Sequence, residues 1–417
     1  MNKIYLFSIS FIVLLMACCT FTACENKSFI SVDYTNDIVG TWSYLEPGTA
    51  EALVISADGS VVSTGIEDGE YWEDVIGSVE VVNNKITMIF EDQDRYTGRF
   101  DLVPGEVLSF VNDNDGQRYT YHYCANDLSD EIVGMWVCNN GPLSEEDDIA
   151  IQTFDKNGQA TFTGMTQVEG EFILNGIGTY KVVGDLLIQK MPEERVAEGE
   201  SPYVVTKMTY APKATAMGDV MVQKEYTLTG GHLLEATTSW LRVKKYLELP
   251  GTKYDYSATY VTNVQGKDEE ITLLGYNFNI AKMDGSTLDK ILKYLLFHIE
   301  FPSANTIKYQ YHYNGQNHVF EAPIKVEGNK MTIDMTAINP IYRDIELYVF
   351  QDAYNTQMHM YMPTYAFINY FANMEIATLL HANKLNTTDT SAIEAIFQKM
   401  ADHVQTINVS FVLKAAK

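Results

Sequence analysis

The strongest constraint on this chain is an internal repeat. Asp37-Ile38-Val39-Gly40-Thr41-Trp42 returns 94 positions later as Glu131-Ile132-Val133-Gly134-Met135-Trp136. The agreement continues in order. Leu53-Val54-Ile55-Ser56-Ala57-Asp58-Gly59 corresponds to the run from Ile151 to Gly158, and the run from Gly77 to Ile86 corresponds to that from Gly178 to Leu187. Elements repeated in one order define a duplicated unit. Each is a short run rich in Val, Ile, Thr, Phe and Tyr, closed by Asp-Gly, Asn-Gly, Asn-Asn or Gly-Asp turns, which is β chemistry. Short strands so closely spaced predict a meander that closes into a small barrel, because closure removes exposed edges.

The openings Gly40-Thr41-Trp42 and Gly134-Met135-Trp136, each after a polar segment, resemble the Gly-x-Trp start of the calycins. More narrowly, they resemble the short lipocalin-like domains of Bacteroidetes lipoproteins. The resemblance implies that Trp42 and Trp136 plug one end of each barrel, covered by a basic residue of the last strand. Arg118 and Arg242 are the matching candidates, in a structural role. It spans residues 35–125 well and 129–248 less closely, with an insertion around Met191–Met221 that the first copy lacks. Both units are shorter than full lipocalins, and small barrels are commonly filled by their own side chains.

Residues 249–417 read as a third, α+β region. The segment from Phe320 to Ile333 echoes the third repeat element, so a diverged calycin-like sheet is one expectation for it. Ser286 with Asp289, ahead of a stripe of Leu288, Ile291, Leu292, Leu295 and Ile299, predicts a capped helix. Ser391 with Glu394, ahead of Ile393, Ile396, Phe397, Met400 and Val404, predicts another. Alternation of Ile407, Val409, Phe411 and Leu413 predicts a final strand. The fold expectation is therefore mainly β: two small antiparallel calycin-like barrels, then an α+β domain.

The N-terminus reads as an export signal. One lysine, Lys3, precedes the apolar run from Ile4 to Ala17, which is shorter than the ~20 residues of a spanning helix. The next residues resemble a bacterial lipobox in two frames, ending at Cys18 or Cys24. Cys24 is favoured because Glu25-Asn26-Lys27 comes directly after it, whereas lipidation at Cys18 would leave an apolar stretch on the mature chain. The expected organisation is signal peptide 1–23, lipidated linker 24–34, lipocalin-like domains 35–126 and 127–248, and a C-terminal domain 249–417. The resemblance implies an outer-membrane or cell-envelope protein held by its lipid anchor, with the face of the membrane left open.

The formal charge is −26, and residues 1–250 carry 38 acidic against 16 basic side chains. A phosphate backbone would be repelled, so nucleic acid is not an expected partner. Beyond the signal only Cys124 and Cys138 remain. An exported location permits a disulfide between them, and two small buried hydrophobes is the alternative.

Motifs for zinc proteases, serine hydrolases, phosphate-cradling loops and Cys-x-x-Cys chemistry do not occur in the mature chain. No enzyme, metal or cofactor is expected. Met358-His359-Met360-Tyr361-Met362 has a soft-ligand spacing, but on a strand the methionines share a face and His359 points away. His312 and His318 flank Asn314-Gly315. A two-residue loop puts them on opposite faces, and a three-residue loop would oppose them. Asp113-Asn114-Asp115-Gly116 lacks the distant glutamate of a calcium loop and reads as a hairpin turn. Ser144-Glu145-Glu146-Asp147-Asp148 reads as a solvated loop. Trp72, between Tyr71 and Glu73-Asp74, is either a core residue or a stacking platform for a sugar or partner.

The function expected is a non-catalytic envelope module that binds a small ligand, glycan or envelope protein. An assembly subunit is the alternative, and a hydrolase with an unrecognised carboxylate site stands further back. A pocket, if present, is expected in the third domain among Tyr309, Tyr311, Tyr313, Tyr348, Phe350, Met358, Met360 and Met362.

Overall fold

The computed structural model describes residues 37–417 apart from 83–84, 92–94, 115, 139–146, 167–171, 193–195, 197, 199–200, 214–217, 228–233, 274–275, 284, 296 and 314. Cys24 and the signal segment lie outside the described residues.

The first repeat folds into eight antiparallel strands: β1 (Gly40–Glu46), β2 (Thr49–Ile55), β3 (Ser60–Glu67), β4 (Glu70–Val82), β5 (Lys85–Phe90), β6 (Arg95–Val103), β7 (Val107–Asn112) and β8 (Arg118–Tyr123). Each pairs with the next, and β1 pairs with β8 to close the barrel. The second repeat does the same with β9 (Gly134–Cys138), β10 (Asp147–Phe154), β11 (Gln159–Thr166), β12 (Phe172–Val183), β13 (Leu186–Lys190), β14 (Tyr203–Ala211), β15 (Val220–Thr227) and β16 (Leu234–Val243). This eight-stranded up-and-down closure fits a lipocalin-like fold.

The repeated residues make the same local structure twice. Gly40 and Gly134 both sit at φ +143°, a conformation that only glycine adopts freely. The Trp42 ring N–H donates to the Ile38 carbonyl at 2.9 Å, and Trp136 donates to Ile132 at 2.7 Å. The second and third repeat elements are tied by one bond in each copy, Val79 N–H to Gly59 O at 2.7 Å and Tyr180 N–H to Gly158 O at 2.8 Å. Gly77 and Gly178 open the third element because a Cβ there would lie 2.6 Å from Ile89 O and 2.2 Å from Lys190 O.

The Met191–Met221 insertion is not an added element. It contains β14, which is sixth in its barrel as β6 is in the first. The extra length lies in the connections 191–202 and 212–219, where the first barrel has 91–94 and 104–106.

The third region is also a closed barrel, which its mixed composition concealed. Its strands are β17 (Lys253–Gly266), β20 (His298–Ser303), β21 (Thr306–Tyr313), β22 (Gln316–Glu327), β23 (Lys330–Ile333), β24 (Ile345–Gln351), β25 (Gln357–Met362) and β26 (Val404–Ala415), with β26 returning to β17. Two insertions interrupt the meander. Between β17 and β20 lie the hairpin β18 (Glu270–Leu273) and β19 (Tyr276–Asn279), a 3-10 turn at Ile280–Lys282, and helix α1 (Gly285–Leu295). Between β25 and β26 lie α2 (Thr364–His381) and α3 (Thr390–His403).

The helix signals need two corrections. Ile299 belongs to β20 rather than to the α1 stripe, and Asp289 accepts the Tyr256 hydroxyl at 2.5 Å, fastening α1 to β17. Helix α3 starts two residues earlier than the Ser391–Glu394 box implies. Asp389 caps it, accepting from Ala392 N at 3.0 Å, and Glu394 pairs with Arg343 at 2.6 Å.

Apolar seams join neighbouring barrels. Ala50, Ala52 and Ile66 meet Leu186, Ile188 and Val205 between the first two, with Tyr71 stacked on Tyr203 at 5.0 Å. Val137, Ile149, Ile151 and Leu241 meet Tyr348 and Phe350 between the second and third.

Candidate binding site in the third barrel

Alternation along β20, β21 and β23–β26 turns one face of each strand inward, and α2 packs its own apolar face into the same core. Between helix and sheet lies a cavity of about 30 Å³, lined by Ile299, Ile307, Tyr309, Ile333, Met335, Ile345, Leu347, Met360, Met362, Tyr370 and Phe411. The lining is almost wholly apolar. Tyr370, from α2, is 5% exposed, and its hydroxyl has no hydrogen-bond partner among the described residues. Burial pushes the Tyr370 and Tyr309 phenols upward, so both stay protonated.

Of the eight residues that the sequence nominates, Tyr309, Met360 and Met362 line this cavity. Met358 is buried in the same core. Tyr311 stands on the β21–β22 ribbon, its ring stacked on His318 at 5.2 Å. The Tyr313 side chain lies outside the described residues. Tyr348 and Phe350 are not in the pocket. Their odd-numbered neighbours Leu347 and Val349 face inward, so they face outward and pack against Val137, Ile149, Ile151 and Leu241 of the second barrel, while Phe350 is edge-on to Tyr361 of its own barrel at 5.7 Å. Strand parity carries that distinction. Tyr370 escapes a reading of the sequence because it stands in a helix with no polar stripe to mark it.

His359 faces away from the methionines into the seam with the second barrel, and its Nε2 lies 2.8 Å from Gln357 Nε2. Burial pulls its pKa from 6.5 to about 4. The turn at Asn314-Gly315 has two residues, with His312 opposite Asn317 and Tyr311 opposite His318, so the histidines take opposite faces. Among the described residues no three His, Cys, Asp or Glu side chains are grouped to hold a metal ion.

The plug residues divide. In the second barrel the Arg242 guanidinium lies 4.8 Å from the Trp136 ring centroid, opposite it in register. Arg242 also reaches the Glu131 carbonyl and lies 3.5 Å from Asp219. In the first barrel Arg118 does not cover Trp42. It starts β8, exposed and paired with Asp101 at 3.1 Å, whereas the residue opposite Trp42 is Tyr123, edge-on at 5.1 Å. The last strand is the right one, but Arg118 stands at its far end from the tryptophan.

Cys124 and Cys138 are not bridged. The Cys124 thiol lies 3.0 Å from Asp185 Oδ1 at the seam between the first two barrels, and burial pushes its pKa up to about 11. Cys138 is buried in the core of the second barrel. They belong to different packing environments, so their closeness in sequence misleads.

The first barrel encloses a polar cluster that the sequence does not reveal. Glu51, fully buried, accepts from Tyr121 at 2.5 Å and Ser63 at 2.7 Å, and the Trp72 ring N–H donates to Ser63 at 2.9 Å. Burial pushes the Glu51 carboxyl up to about 7, although both hydrogen bonds favour its charged form. Trp72 is therefore a core residue. It is turned inward at a β-bulge, with Asp74 at φ +52° presenting its carboxylate to Lys181 of the second barrel at 2.7 Å.

No family model matches the chain, and no curated protein matches it. Among solved structures, a double mutant of the vaccine antigen Transferrin Binding Protein B from Haemophilus parasuis is 10% identical, with a TM-score of 0.23, over 88% of this chain and 66% of that one. Intact Ap-TbpB, with N and C lobes, is also 10% identical over the same shares, at a TM-score of 0.20. A DUF3598-family protein of unknown function from Nostoc punctiforme is 10% identical over 50% of this chain and 97% of that one, at 0.15. The chain thus spans 66% of the length of the first two. At these scores the fold description rests on the barrels themselves.

Proposed function

We propose that the protein is a non-catalytic, lipid-anchored envelope lipoprotein whose third barrel is a binding module for a small ligand. The observation that carries this reading is the apolar cavity beneath α2, with a hydroxyl in its lining that no described residue satisfies. The domain division proposed is signal 1–23, lipidated linker 24–34, barrels within 35–126 and 127–248, and the helix-floored barrel within 249–417. Cys24 is the proposed acylation site. No described helix is long and apolar enough to cross a membrane, and acylation at Cys24 would supply the attachment.

Two measurements test the proposal. Labelled palmitate fed to expressing cells should enter the chain, and Cys24→Ala should abolish that uptake; label retained by the variant would refute anchoring at Cys24. A thermal-shift screen of lipids, glycans and divalent metals should raise the melting temperature with at least one small apolar ligand, because a ligand stabilises the state that binds it. Apolar seams between the barrels favour a second reading, a rigid spacer in an envelope assembly. Co-purification of an envelope partner with no ligand shift would support it.

A further inference from the structure

We propose that the third-barrel cavity takes a small uncharged amphiphile: an aliphatic body with one hydroxyl or carbonyl that pairs with the Tyr370 hydroxyl. The proposal rests on the reading of this barrel as the binding module and narrows its ligand class.

Three observations carry it. The walls are aliphatic, with Ile299, Ile307, Ile345 and Leu347 among them, and none of the lining residues is charged. An ion entering this space would lose its hydration and gain no counter-charge, so a carboxylate or ammonium head is disfavoured. Tyr370 is buried without a hydrogen-bond partner among the described residues, a state that buried hydroxyls rarely keep. Among the described residues, Tyr309 is the only other lining residue with a hydroxyl, so a buried water there would find at most two side-chain partners, the low end of the two to four it needs.

Met335, Met360 and Met362 complete the argument. Unbranched thioether chains change rotamer readily, so a ligand larger than the cavity of about 30 Å³ would enter by displacing them. The expected ligand is therefore short, apolar along its length and neutral at the end that meets α2.

The test uses the full chain and three probes: 1-hexanol, hexanoate at pH 8, and xenon followed by 129Xe NMR. Calorimetry should give 1-hexanol at least about ten-fold tighter binding than hexanoate. Tyr370→Phe should weaken 1-hexanol about five-fold while leaving xenon uptake unchanged, since xenon makes no hydrogen bond. Hexanoate binding as tightly as hexanol, or hexanol indifferent to Tyr370→Phe, would overturn the ligand class while xenon still reports the cavity. Failure of both xenon and hexanol to bind would overturn the barrel as a binding module. The hexanol–hexanoate contrast is read in the unmodified chain, so it stands even if the variant folds poorly.

Discussion

The first two barrels are built from one sequence plan and solve one problem in two ways. Both place a tryptophan at the start of the first strand, with its ring N–H on a carbonyl four residues earlier. The first covers that ring with Tyr123 and the second with Arg242, each at the position opposite the tryptophan on the closing strand. The interiors diverge further. The first barrel seals a carboxyl among hydroxyls and an indole, while the second is filled largely by Phe154, Phe162, Leu187, Met208, Met221 and Trp240. A shared wall and a variable filling are what packing physics allows, because the wall depends on backbone pairing and the filling on volume and satisfied polar groups.

The largest effect that tests this comparison is loss of a plug. Trp42→Ala or Trp136→Ala should each cost roughly 3–5 kcal/mol, the range for truncating a buried aromatic. Urea unfolding of the two variants should show the loss in the mutated barrel first, and a small loss at either site would mean that the plug is dispensable.

Two buried titratable groups, in different barrels, set opposite pH responses. The Glu51 pKa is raised from 4.5 to about 7 when folded, so its stabilisation is fully present below 4.5 and is lost as pH rises through 7. The unmodified chain should lose ~3 kcal/mol from this group between pH 4.5 and 8, a slope that Glu51→Gln removes. His359 behaves inversely. Its pKa is lowered from 6.5 to about 4, so its contribution is present above 6.5 and is lost as pH falls through 4. His359→Gln should flatten that acid limb, again by ~3 kcal/mol at full protonation. Unfolding midpoints followed from pH 3 to 9 would expose either slope, and a flat Glu51 profile would argue against a buried, shifted carboxyl.

Smaller effects sharpen the covering residues. Arg242→Ala should cost about 1–2 kcal/mol, because the cation stacked on Trp136 is also the counter-charge near Asp219. Arg118→Ala should cost no more than ~0.5 kcal/mol, as expected for an exposed ion pair. Equal losses in denaturant titrations of the two variants would restore Arg118 as a cover.

How much of the molecule is legible in its sequence depends on the range over which each signal acts. The glycines, turns and tryptophans of the repeats are local necessities, so the first two barrels are legible from Gly40, Gly77, Trp42 and their counterparts. Closure of the third barrel is not, because residues 267–297 intervene between its first two strands and the helices α2 and α3 precede its last. Tyr309, Met360 and Met362 reach the candidate site through strand parity that the sequence displays. Tyr348 and Phe350 are drawn in by aromatic composition against that same parity. Glu51 and Tyr370 leave no trace, since an acid in a strand and a tyrosine in an apolar helix gain meaning only from their neighbours in space.

Each barrel also pairs its first strand with its last. The chain therefore enters and leaves every unit on adjoining staves, so a whole unit can be copied, spliced in or removed while the others keep their hydrogen-bonded circuits intact. Such wiring favours growth by concatenation, and it lets one copy change its contents freely while its neighbours hold their shape.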